Sequence, residues 1–356
     1  ASALRGKTTP GRSRTGMKDQ ICLVPELSGL GGMVSFQAKF MQGLAARQIP
    51  YTFDLSHPDN TVILIIGGTR HLLQLIRAKQ RGVRLYQRLN GMNWTHRIEK
   101  TPLRLKIKAE MNNLTLAFIR RTLADGIIYQ SVFSQTWWDR VYGKIDKAAS
   151  VVYNGIDLEA YTPEGAGTPP KDHMRILLVE GHLTGTYARN VETGVRLVQS
   201  LQERVDQPVE LMVVGAASQD LMARIERESD CWVTWRGVVP LAEIPAIDRS
   251  AHLLFSTDLN AACPNSVIEA LACGTPILAY DTGALKELVP AGAGRVVPYG
   301  ADVWQLEAPQ IDPLVEGALE SSVNNPTYRE KARERAEAVF SLDRMVNGYL
   351  AAMGVQ

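Results

Sequence analysis

The segment Cys263-Pro264-Asn265-Ser266-Val267-Ile268-Glu269 combines residue types that could do chemistry. A polar turn that opens an apolar, helix-forming run leaves backbone N–H groups without intrahelical partners and exposes the positive end of a dipole. Both suit a diphosphate. Ser266 is the expected N-cap, and Asn265, Ser266 and Val267 are the expected donors at that helix start. Glu269 falls one turn in, where a carboxylate could accept hydrogen bonds from two vicinal ribose hydroxyls. The alternative is a plain loop–helix–strand unit, with Glu269 an acidic first-turn residue that complements the dipole. Local physics leaves both open.

A second candidate is Glu180-Gly181-His182-Leu183-Thr184-Gly185-Thr186-Tyr187-Ala188-Arg189-Asn190. Backbone N–H groups at Gly185 and Thr186 could form an anion-binding nest, with His182 and Arg189 as flanking side chains. The segment Ser28-Gly29-Leu30-Gly31-Gly32 reads as a tight loop after the first strand. It is not a GxGxxG, which disfavours a dehydrogenase. Ser131 is expected to cap a helix beginning near Ser134, and Trp137 and Trp138 to pack that helix. His57, His71, His173 and His252 are expected to be ordinary surface or core histidines.

These loops need elements to hold them. Ile21–Val24, Val62–Ile66, Arg84–Arg88, Ile127–Ser131 and Ser150–Tyr153 read as strands, with helices over Met33–Ala46 and about Arg70–Gln80. A Pro/Gly-rich break at 163–170 is followed by a second series. Its strands are Arg175–Val179, Val209–Val214, Val233–Arg236, Leu253–Ser256, Ile277–Tyr280 and Gly294–Val297. Its helices are Asn190–Val205, Gln219–Glu228 and Ser266–Cys273. Continuous apolar strands alternating with helices specify parallel sheets covered on both faces. The expected fold is α/β, with two Rossmann-like domains. Their bounds are 17–163 and 173–340, joined by a linker at 164–172 and followed by a terminal helix over 341–356. Residues 1–16 are polar, without the apolar region of a signal peptide, and are expected to be a disordered linker ahead of a start at Met17.

The 356-residue chain is 45% hydrophobic and 21% charged, enough apolar material for two cores. Its four cysteines form no CxxC pair, so neither a disulfide framework nor a structural zinc is expected. The net charge of +2 hides an asymmetry: residues 17–163 hold 19 basic against 11 acidic side chains, and residues 164–356 hold 16 against 26. Such a split predicts different partners for the two halves. The basic excess gathers at 70–88 and 97–108, the latter interleaved with Trp94, Ile98, Leu103, Leu105 and Ile107, a pattern suited to an anionic bilayer. The alternatives are a solvated basic face and a soluble anionic acceptor. No nucleic-acid-binding module accompanies the charge, so nucleic acid is not an expected partner.

Residues 255–288 (FSTDLNAACPNSVIEALACGTPILAYDTGALKEL) resemble the donor-site signature of family 4 glycosyltransferases of the GT-B fold. Tyr153-Asn-Gly-Ile-Asp157 with Tyr161-Thr-Pro163, Trp235-Arg-Gly-Val-Val-Pro240, and Phe340-Ser-Leu-Asp343 with Met345 and Tyr349 are similar to further family motifs. The last lies in a helix that crosses back onto the first domain in that family. Three positions depart from the pattern. Ala261 stands where the family often has the first of two acids, the second matching Glu269. His182 stands where an arginine of the diphosphate clamp is usual, with Arg189 the nearest candidate for its lysine. Asn90-Gly91 stands in place of a His-Gly, with His96 six residues on; Asn90 and His96 are therefore the candidate catalytic residues.

The resemblance implies a retaining, metal-independent transfer of a sugar from a UDP- or GDP-type donor to a glycan, lipid-linked or small-molecule acceptor, with no bound cofactor. The donor-binding set is Gly31, Gly32, His182, Gly185, Thr186, Arg189, Asn265, Ser266, Val267 and Glu269. A cytoplasmic protein, in peripheral contact with the inner face of the membrane, is expected. A nucleotide-sugar epimerase and a non-catalytic sugar-nucleotide-binding protein are the competing functions.

Overall fold

The computed structural model describes residues 19–29, 31–183, 186–323 and 325–355. The first half contains β1 (Gln20–Val24), α1 (Gly32–Ala46), β2 (Tyr51–Thr52), β3 (Asn60–Ile66), α2 (Leu72–Gln80), β4 (Arg84–Leu89), α3 (Leu103–Phe118), β5 (Gly126–Tyr129), α4 (Val132–Tyr142) and β6 (Ala148–Val151). Its strands form one parallel sheet in the order β2-β1-β3-β4-β5-β6. Alternate residues of β3 serve opposite faces. Ile63 and Ile65 pack with Leu75, Leu116 and Trp138 of α2, α3 and α4, whereas Val62, Leu64 and Ile66 pack with Phe36, Phe40 and Leu44 of α1. The continuous apolar run arises because both faces are covered.

The second half contains β7 (Met174–Leu183), α5 (Thr186–Gln202), β8 (Val209–Ala217), α6 (Gln219–Glu228), β9 (Trp232–Gly237), α7 (Ile244–Arg249), β10 (Leu253–Ser256), α8 (Asn265–Ala272), β11 (Ile277–Tyr280), α9 (Leu285–Leu288) and β12 (Gly294–Val297). Its parallel sheet has the order β12-β11-β10-β7-β8-β9. Helices α10 (Asp312–Val323), α11 (Asn325–Val339) and α12 (Leu342–Met353) follow. The expected elements are present. Strand β2 and helices α3, α7, α9, α10 and α11 are additional to them, and β7 continues to Leu183 through an irregularity between Val179 and His182.

The last helix leaves the second sheet and joins the first. Met345, Val346, Tyr349 and Met353 of α12 complete the core that α1 begins. The rings of Phe36 and Tyr349 lie 4.9 Å apart. Gly43 of α1 lies against Val346, where an added Cβ would overlap the valine. The two chain crossings between the halves run side by side. Ile156 and Ser341 form a parallel bridge, Ile156 N donates to Phe340 O at 2.8 Å, and Leu342 N donates to Ile156 O at 2.8 Å. The fold is thus two facing Rossmann-like units with a C-terminal helix crossing back.

Candidate functional site

In open parallel sheets, ligands gather at the carboxyl ends of the strands where strand order reverses. In the first sheet the reversal lies between β1 and β3, which end at the glycine-rich loop and at Gly67-Gly68. In the second it lies between β7 and β10, which lead into α5 and α8. Gly31 adopts φ +128°, open to glycine alone, just before α1 begins. At the next residue, Gly32, an added Cβ would sit 3.8 Å from Asn265 Nδ2. The first-domain loop therefore faces the start of α8.

Helix α8 begins at Asn265 after Pro264, and no side chain caps it. This corrects the expected Ser266 cap: proline fixes the entry one residue earlier and places Ser266 inside the first turn. Val267 has its side chain wholly in the core, so only its backbone N–H is available at the helix start. Glu269 faces the first domain, and Lys39 Nζ of α1 donates to its Oε1 at 3.3 Å. Burial pushes the Glu269 carboxyl up, and Lys39 opposes that shift.

A buried relay links the two domains at the same point. Arg88, 1% exposed, donates from Nη2 to Asn154 Oδ1 at 3.0 Å. Gln130 Nε2 donates to the same oxygen at 3.0 Å. Asn154 Nδ2 in turn donates to Asn265 Oδ1 at 2.9 Å and to Cys263 O at 3.1 Å. The Arg88 guanidinium stacks 3.8 Å from the Phe36 ring centroid, and its Nε and Nη1 have no hydrogen-bond partner among the described residues. The Tyr349 hydroxyl is close enough to favour the charged guanidinium, but burial dominates and lowers its pKa. Sequence reasoning assigned Arg88 to the basic surface. The only sequence signal for its burial is its place in strand β4 next to Leu89.

The remaining expected residues are more scattered. Gly185 lies outside the described residues, and of Thr186 only its place at the start of α5 is described. His182 is exposed near the carboxyl end of β7, paired in register with Ala216. Arg189 lines a cavity of about 250 Å³ with Thr193, Arg196, Thr257, Tyr280 and Tyr299. No residue of α8 lines that cavity, so Arg189 and Glu269 stand in separate surroundings.

Asn90 follows β4, and its carbonyl accepts from Ser134 Oγ at 3.0 Å and Trp138 Nε1 at 2.7 Å. His96 is buried, with Nε2 2.9 Å from Glu110 Oε1, an oxygen that Arg97 also holds. That pairing ties His96 to α3. Ser131 does cap α4, accepting from Ser134 N at 3.1 Å.

The residues that sequence reasoning missed close the cleft. Glu287 of α9 accepts from Val132 N at 2.9 Å and Phe133 N at 2.7 Å, the unpaired donors at the start of α4, and from the Tyr153 hydroxyl at 3.1 Å. Trp304, after β12, sits 5.2 Å from Trp94 and 5.1 Å from Trp137, ring to ring. At the second reversal point, Thr257 Oγ1 donates to Glu180 Oε1 at 3.2 Å. Burial and the Asp258 charge raise the Glu180 carboxyl well above its ordinary range. Among the described residues no cluster of three or more His, Cys, Asp or Glu side chains could hold a metal ion.

Residues 175–308 match the family described as Glycosyl transferases group 1. Over those residues the chain is similar to group 1 glycosyltransferases, and its fold is GT-B. The matched residues hold β10, α8 and the facing Glu269. The chain is 26% identical over 213 residues to D-inositol 3-phosphate glycosyltransferase 2 of Catenulispora acidiphila, covering 55% of this chain and 48% of that protein. It is 27% identical over 248 residues to GDP-mannose-dependent alpha-(1-6)-phosphatidylinositol dimannoside mannosyltransferase of Mycobacterium tuberculosis, covering 65% and 58%. The chain thus spans about half the length of the curated relatives it matches. The Anabaena protein HepE, solved in complex with UDP and glucose, superposes with a TM-score of 0.66 at 16% identity, over 95% of this chain and all of that one. At that identity the chain shares the fold with HepE.

Proposed function

We propose that this protein is a retaining glycosyltransferase that moves a sugar from a UDP- or GDP-type nucleotide sugar to a glycan, lipid-linked or small-molecule acceptor. The observation that carries the reading is the Gly31-Gly32 loop set against the start of α8, with Glu269 one turn further on and facing the first domain. The N–H groups of α8 would take the diphosphate. Glu269 Oε2 would meet the ribose hydroxyls while Lys39 holds Oε1. The acceptor would lie on the first domain, and closure of the cleft would exclude water from the donor. The nucleotide-sugar relatives support the donor class.

In this reading the leaving-group charge is met by helix dipole and basic side chains, with no metal or cofactor taking part. The protein works in the cytoplasm, in peripheral contact with an anionic membrane. No helix of the described residues is long and apolar enough to cross a membrane.

Calorimetric titration of UDP and GDP into wild type and Glu269→Gln tests the assignment. A charge-assisted hydrogen bond is worth about 1.5–3 kcal/mol, so affinity should fall roughly ten- to hundredfold in a folded variant. An unchanged Kd would sink it. Turnover of the wild type should persist in EDTA; loss restored by Mn²⁺ would overturn the metal-independent part.

A further inference from the structure

Helix α3 has its apolar stripe on the outside. Leu103, Ile107, Met111, Leu114 and Phe118 are all exposed, between 45% and 73%. At 100° per residue these five fall within an arc of about 80°. Leu116 and Asn113, on the opposite side, are buried against the first domain. A helix on a globular surface normally turns its apolar stripe inward. This one turns it away, and among the described residues nothing covers it.

The charge around the stripe indicates what does. Arg104 and Lys108 border it on one side and Lys106 on the other, with Lys100 just ahead of the helix. Glu110, the only acidic residue of α3, is already engaged: Arg97 donates to its two oxygens at 2.6 and 2.9 Å, and His96 contacts it. These partners hold its carboxyl down at about 2. The stripe is therefore flanked by free cations and by an acid that is neutralised. Most of the other basic stretch is engaged: Arg88 is buried, Lys79 is paired with Asp125, Arg81 binds the Leu55 and Ser56 carbonyls, and Arg84 binds the Met353 carbonyl, which leaves Arg70 and Arg77 exposed.

We infer that α3 is a membrane-docking helix, which lies in the interface of an anionic bilayer with Leu103, Ile107, Met111, Leu114 and Phe118 among the acyl chains and Arg104, Lys106 and Lys108 at the headgroups. An apolar face with a basic border is the pattern of an interfacial helix. The inference deepens the membrane contact proposed above and rests on it, but it is independent of donor binding. Helix α3 starts on the carboxyl side of the first sheet, after β4, so docking would hold the cleft beside the bilayer surface.

The test uses the whole chain and sedimentation with vesicles of pure phosphatidylcholine or of phosphatidylcholine with phosphatidylglycerol. Wild type should bind the anionic vesicles and not the neutral ones. Each basic residue near the surface contributes about fivefold to partition, so replacing Arg104, Lys106 and Lys108 by alanine should weaken binding about a hundredfold. Ile107→Ser with Met111→Ser should weaken it at least tenfold, which a purely electrostatic face would not do. All five positions lie on the surface, and circular dichroism should confirm intact folds. Failure to bind anionic vesicles at low salt, or equal binding to both compositions, would overturn the inference. So would a dimer in ultracentrifugation that the serine variant dissolves, because the stripe would then belong to a second copy. UDP titration of the same variants separates the readings: unchanged nucleotide affinity with lost vesicle binding supports docking alone, and absent nucleotide binding in wild type removes the donor proposal without touching α3.

Discussion

Replacing Arg88 by methionine should leave the fold intact and weaken nucleoside diphosphate binding. The guanidinium is 1% exposed, its nearest hydrogen-bond partner is an amide oxygen, and two of its nitrogens are unpaired. Removing a buried charge in favour of an apolar side chain of similar length is often neutral or stabilising by about 1–4 kcal/mol. The loss of one charged hydrogen bond, about 1.5–3 kcal/mol, works against that, so the melting temperature should move little. Binding should respond differently. Two hydrogen bonds of 3.0 and 2.9 Å across one amide put the guanidinium about 8 Å from Asn265 Oδ1 at the start of α8. A unit negative charge about 8–11 Å away, at an effective dielectric of about 20, gains about 1.5–2 kcal/mol. That corresponds to roughly a ten- to thirtyfold loss of UDP or GDP affinity in the variant. Titration calorimetry on Arg88→Met, with a thermal melt alongside, reads both quantities. A folded variant with wild-type affinity would refute the claim that this buried charge serves an anion at α8. A collapse in melting temperature would show that Arg88 is required for folding.

Asp248 is fully buried with Oδ2 unpaired, and burial together with Glu269 raises its carboxyl well above the usual range. The unfolded chain gives up that proton first, so stability from this group is complete below about pH 4 and drains away as pH rises toward the raised folded value. Asp248→Asn should therefore gain in melting temperature over wild type progressively from pH 5 to pH 8; a gap that stays constant would contradict this. Gly43→Ala should cost about 1–3 kcal/mol in denaturant unfolding, because the new methyl overlaps Val346 where α1 crosses α12. Glu287→Ala should cost about 1–2 kcal/mol by uncapping α4. It should also enlarge the radius of gyration in X-ray scattering, since that cap spans the cleft; an unchanged radius would mean that the remaining contacts between the domains keep it shut.

Much of this architecture was legible because parallel sheets announce themselves. Val62–Ile66 and Ile277–Tyr280 are buried on both faces, so every residue in the run is apolar and its position in the chain is plain. The start of α8 was legible to within one residue, and the error came from weighing Ser266 as a cap over Pro264 as the entry. Helix α3 was legible in the helical spacing of Leu103, Ile107, Met111, Leu114 and Phe118, but the 97–108 stretch drew attention to its charge instead. The strand reaches His182 because the chain absorbs an irregularity at Glu180-Gly181, which residue spacing does not announce. Arg88, Glu287 and Trp304 act across the cleft, and pairings separated by 66 to 210 residues leave no local trace.

The position of α12 also bears on how the protein is made. The first sheet is complete in sequence at Val151, yet one of its faces is finished by Met345, Val346 and Tyr349. Nearly two hundred residues must be synthesised between the two, about 10–40 s at ordinary elongation rates. Throughout that interval Phe36, Phe40 and Leu44 on α1 lack their final cover while the second domain is still emerging. The nascent chain therefore presents an open aromatic face to the ribosome surface and to chaperones, and the residues that close the first domain are made only after the whole second sheet.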